Sequence, residues 1–157
     1  MEPYPAQNPL NPDYRPDEPR RSLARLPLAI GAGLVAALIG GGLWAALVAA
    51  TGIKLGYAAI GVGFLVGLAI RGFAHGHDPA YGYVGAILAL LGCVVGDVLS
   101  DSVYLAKAMH EPALNVITHL TPKLAAELLK TGFQPMDALF YAIAAFAGYR
   151  NSFSKGA

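Results

Sequence analysis

Asp97 and Asp101 stand four residues apart at the end of a long uncharged stretch, so on a helix both carboxylates share one face. Ser100, Ser102 and Tyr104 lie beside them. A carboxylate inside hydrocarbon is costly and marks an ion or proton path by default. Two readings stay open here. Tyr81 to Val98 already covers about 27 Å at ~1.5 Å per residue, so the pair either reaches headgroup water or forms an ion- or substrate-handling site.

His75, His77 and Asp78 form a second polar cluster, with residue types that suit zinc or another transition metal. The competing reading is a polar turn between two apolar segments. His110, Glu111 and His119 fall on the opposite side of the membrane in the topology derived below. They cannot complete the His75 site, but could join Asp97 and Asp101 in an outer polar cluster. Cys93, the single cysteine, lies within an apolar run and reads as a small core hydrophobe. There is no Walker loop, nucleophile elbow, HExxH or CxxC motif. Nothing argues positively for catalysis, and no cofactor is implied.

The segments that must carry these groups are unusually apolar. Leu26 to Thr51 has no charged residue, Ile53 to Ile70 has only Lys54, and Tyr81 to Gly96 has none. About 20 apolar residues cross the roughly 30 Å hydrocarbon core as a helix, because a helix satisfies its own backbone there. Of 157 residues, 55% are hydrophobic and 13% charged, too little charge to cover a water-soluble domain of this length. The formal net charge is +1, with no basic cluster for nucleic acid. The expectation is an all-α integral membrane protein with the lipid bilayer as its first partner.

Residues 1–25 differ. Pro3, Pro5, Pro9, Pro12, Pro16 and Pro19 punctuate a stretch nearly devoid of aliphatic residues, which reads as a disordered N-terminal arm. Arg20, Arg21 and Arg25 then precede the first span. An N-terminus in the cytoplasm puts Arg15, Arg20, Arg21, Arg25, Arg71, Arg150 and Lys155 inside, and Lys54, Lys107, Lys123 and Lys130 outside. The positive-inside rule favours that orientation. Residues 26–157 then form a transmembrane domain with spans at about 26–51, 53–73, 81–106 and 135–153. The fourth is the least apolar. Met136 to Tyr149 reaches a usable length only when extended to Phe153.

Small residues mark the packing faces. Gly52, Gly56, Ala59, Gly63 and Gly67 recur at spacings of 4, 3, 4 and 4, as do Gly85, Ala89, Gly92, Gly96 and Ser100. Lipid provides no hydrophobic drive for helix association, so close backbone approach must supply it. Matching seams predict a tight hairpin of spans two and three, whether the seams also serve contacts between subunits or not. Residues 107–132 are polar by comparison. Thr121 and Pro122 suit a helix start, Leu114, Ile117, Leu120, Leu124 and Leu128 recur at helical spacing, and Gly132 is a natural stop. This predicts an outer amphipathic helical segment.

Two segments, Gly56-Tyr-Ala-Ala-Ile-Gly-Val-Gly-Phe-Leu-Val-Gly-Leu-Ala-Ile-Arg71 and Phe133-Gln-Pro-Met-Asp-Ala-Leu-Phe-Tyr-Ala-Ile-Ala-Ala-Phe-Ala-Gly-Tyr-Arg150, resemble a group of small bacterial multi-span inner-membrane proteins. The resemblance implies a four-span bundle in a bacterial inner membrane and transfers no activity. Some members carry an N-terminal zinc ribbon, which the cysteine-free arm of this chain lacks. Two functional classes follow from the residues. One is a structural or assembly subunit packing through its glycine seams, as a homo-oligomer or within a membrane complex. The other is a small transporter or channel-like protein using Asp97 and Asp101.

Overall fold

The computed structural model describes residues 25–53, 56–75 and 78–152. The expectations for the N-terminal arm, for Lys54 and for His77 fall outside those residues. The described residues form six helices and no strand: α1 Leu26–Thr51, α2 Ala58–Ala74, α3 Pro79–Met109, α4 Ala113–Thr118, α5 Pro122–Gly132 and α6 Pro135–Asn151. Helices α2 and α3 form the centre, and α1 and α6 each pack against both of them. Helices α4 and α5 lie against α3.

Local chemistry explains where the helices stop. Gly52 caps α1 in the left-handed region, at φ 70°, and its N–H donates to the Val48 carbonyl. This corrects the expected second span in two respects. Gly52 belongs to the end of α1, and α2 starts five residues later than predicted, after a turn at Gly56. A left-handed glycine closes one helix and cannot continue into another. Helix α3 begins at Pro79, with the Asp78 carboxylate accepting from the Ala80 amide at 2.9 Å. It runs on to Met109, three residues past the predicted end, because nothing interrupts it before left-handed His110 and Pro112. Thr121 Oγ1 accepts from the Leu124 amide at 3.2 Å to start α5.

Helices α1 and α3 are the two described helices long and apolar enough to cross a membrane by length and composition. At ~1.5 Å per residue they extend about 39 and 46 Å. Helices α2 and α6 have 17 residues each, about 26 Å, and α2 is the more apolar.

Many small residues lie inside, beside Trp44, Ile70, Tyr81 and Leu88, and many large ones lie outside. Gly33, Ala36, Ala37, Gly40 and Gly41 of α1 are buried, whereas Leu34, Leu38 and Leu43 are about half-exposed or more. Phe64 and Leu68 of α2, Ile87 and Leu91 of α3, and Leu139 and Phe146 of α6 also face outward.

The glycine seams are not matched as the sequence predicts. A Cβ at Gly63 would overlap the Ala144 backbone of α6, and one at Gly67 would meet the Asn151 Cβ at 2.7 Å. On α3, Gly85 is packed on Gly148 and Ser152 of α6, Gly92 on Val62 of α2 and Ala37 of α1, and Gly96 on Trp44 of α1. A straight stripe on a helix meets different neighbours as those neighbours cross it. Spacing identifies the small-residue face but not which helix lands on it.

Candidate functional site

Chemistry-bearing side chains gather where the middle of α3 meets the first half of α6. Helical spacing puts Cys93, Asp97 and Asp101 on one face of α3. Asp97 is only 2% exposed, and the Tyr141 hydroxyl of α6 donates to its Oδ2. The Tyr141 ring packs edge-on against Phe133, with centroids 5.9 Å apart. A buried phenol needs a partner, and a buried carboxylate needs a donor. Each of the two meets the other's requirement. One turn earlier, the Cys93 thiol donates to the Ala59 carbonyl of α2 at 3.7 Å, tying the site to the third helix.

Asp101, one turn later, is half-buried and lies against Gly132 at the end of α5. A side chain larger than hydrogen at Gly132 would strike its carboxylate. The two aspartates therefore share a face, as the spacing predicts, but have different roofs. Asp97 is covered by α6 and Asp101 by the end of the amphipathic segment. A third carboxylate stands nearby. Asp137, in the first turn of α6, accepts from the Gln134 amide at 2.8 Å and lies beside the turn at Gly56.

The serines around the pair have other duties. Ser100 Oγ donates to the Gly96 carbonyl and Ser102 Oγ to the Val98 carbonyl, each at 2.7 Å within α3. Tyr104 donates to the Gly52 carbonyl at 2.8 Å, and Lys107 donates to the Ala49 carbonyl at 3.2 Å. Together they bind the exposed carbonyls at the end of α1, where a cation also offsets the negative pole of the helix. Trp44 is buried, and its indole N–H has no hydrogen-bond partner among the described residues.

The other candidates are dispersed. His75 is the left-handed cap of α2, and the Asp78 carboxylate is engaged in capping α3, while His77 lies outside the described residues. His110 caps α3 nine residues beyond Asp101, about 13 Å further along the helix. Glu111 accepts from Asn115 at 3.1 Å, and His119 Nδ1 pairs with the Asn115 carbonyl at 2.9 Å. That group belongs to the α3–α4 corner, so it does not join the aspartates. Among the described residues, no group of three or more His, Cys, Asp or Glu could hold a metal ion.

Tyr141 is the residue that sequence reasoning missed. Its signal was present: a polar-tipped aromatic in the middle of an apolar helix, not at its end. In comparisons with known proteins, the chain matches no protein-family model, no curated protein and no solved structure.

Proposed function

We propose that this chain is a small integral protein of a bacterial inner membrane, with all four long helices in the bilayer and the N-terminus cytoplasmic, serving as a structural or assembly subunit. One observation carries the reading: large aliphatic and aromatic side chains face outward on α1, α2, α3 and α6, around a core rich in glycine and alanine. Lipid is the solvent in which that arrangement costs nothing. The 17-residue α2 and α6 reach the lower end of the range that spans a bilayer. Arg25, Arg71 and Arg150 lie at one end of the bundle, consistent with a cytoplasmic face there. At the other end, α5 presents Lys123, Glu127 and Lys130 outward and keeps Leu124 and Leu128 half-covered, as suits a helix lying on a membrane surface.

A structural role is supported by the interior itself. Glycine–backbone contacts close the middle of the bundle, leaving a compact body whose surfaces are available to lipid or partners. Crosslinking in membranes followed by gentle detergent extraction tests this. A defined homo-oligomer or a co-purifying membrane subunit is expected, and a strictly monomeric, partner-free chain would count against it.

The buried Asp97–Tyr141 pair favours a second reading, a transporter or channel-like protein in which the carboxylate handles a proton or small cation. Ion flux through reconstituted protein that disappears in Asp97→Asn supports it. Absence of flux in the intact protein removes it.

A further inference from the structure

We propose that the outer groove between α1 and α2 is a binding site for one anionic phospholipid, with an acyl chain along the groove and the phosphate at Arg25. This rests on the membrane reading above. The groove has a volume of about 590 Å³, and its walls include Leu28, Gly31, Val35 and Ile39 of α1 with Leu65 and Phe73 of α2. No charged or hydrogen-bonding side chain lines it. Only an apolar occupant suits such walls, because a polar group placed there would lose its water without gaining a partner.

Two features make a lipid chain a better fit than a partner helix. The first is dimension. Pro27 to Ile39 extends about 18 Å along α1 at ~1.5 Å per residue, close to the roughly 15 Å depth of one leaflet, half of the hydrocarbon core. The groove begins at the first residues of α1, so it opens at the level of the headgroups. Gly31 creates much of the space, since a Cβ there would meet nothing within 4 Å.

The second is charge. Arg25 is exposed at the N-cap of α1, two residues before the groove begins at Pro27 and one turn from Leu28. Arginine binds phosphate through its forked donors. Arg20 and Arg21 precede it in the sequence, next to Asp17 and Glu18. A second copy docking its own α1 here would bring Arg25 towards the Arg25 of the other copy if the two helices ran parallel.

Native mass spectrometry of the full chain in detergent, titrated with phosphatidylglycerol or phosphatidylcholine, tests the site. The expected result is one retained phosphatidylglycerol per chain, with phosphatidylcholine held about tenfold more weakly. Arg25→Gln should reduce the phosphatidylglycerol preference about tenfold, the size expected for one charge-assisted hydrogen bond. Gly31→Leu should abolish retention of both lipids. Ala142→Leu, on the exposed face of α6, should leave retention unchanged. Equal binding of the two lipids, indifference to Arg25→Gln and Gly31→Leu, or a lipid-free dimer would each overturn the proposal. The Arg25 arm alters a surface side chain, so it stays informative if Gly31→Leu fails to fold. A chain that remains folded and soluble without detergent would instead defeat the membrane reading beneath it.

Discussion

The second half of α6 and the region around Asp97 are held to their neighbours by different forces. Along the second half of α6, Gly63, Gly85 and Gly148 bring the backbones of α2, α3 and α6 into contact, leaving no room for even one extra carbon. Towards the other end, side chains span the gaps: Tyr141 to Asp97, Tyr104 to Gly52 and Lys107 to Ala49. Backbone contact is short-ranged and tolerates no change of volume. Side-chain hydrogen bonds reach further, and only they bring titratable chemistry into the interior. The two modes meet beside Cys93 and Asp97, where Gly41 lies against the backbone of Gly92 and Gly96.

The largest test of that contrast is Gly63→Leu. The added side chain would push against the Ala144 backbone, which cannot give way as a flexible side chain would. A loss of about 3 kcal/mol or more is expected, seen as a collapse in thermal stability of the detergent-solubilised protein. An unchanged melting temperature would mean that α2 and α6 are not in contact.

Next comes the polar pair. Asp97→Leu leaves the half-buried Tyr141 hydroxyl without its acceptor, and a cost of about 1–3 kcal/mol follows. Adding Tyr141→Phe should recover part of that loss, giving a coupling of about 1 kcal/mol in a double-mutant cycle. Additive effects would show that the two groups do not act on each other.

Lys107→Met removes the cation from the carbonyls at the end of α1. The expected cost is about 0.3–1 kcal/mol, measured by equilibrium unfolding, and it should shrink as salt is raised. The smallest effect has the opposite sign. Gly61 faces open space, unlike Gly63 two residues on. Gly61→Ala should raise stability by roughly 0.5–1 kcal/mol through reduced backbone freedom. If Gly61→Ala and Gly63→Leu gave similar losses, the two faces of α2 would not differ as described.

Much of this was legible in the residues. The absence of charge from Leu26 to Thr51 marks the first helix, and Gly52 supplies the left-handed stop that ends it. Thr121 and Pro122 mark the start of α5 by the donor they satisfy and the donor they lack. The spacing of Asp97 and Asp101 places both on one face. Gly52 was misassigned to the second span because a repeat of small residues looks the same on either side of a turn. Tyr141 went unseen as a partner because 44 positions separate it from Asp97 along the chain.

Helix by helix, then, local rules were enough: apolar runs, caps and breakers act within a few residues and leave their marks in the linear order. Which glycine meets which backbone, that a phenol covers the first aspartate while the end of α5 covers the second, and where an apolar groove opens between α1 and α2 depend on how the helices cross. Crossing is a property of whole surfaces fitting together, and neighbouring residues along the chain carry no record of it.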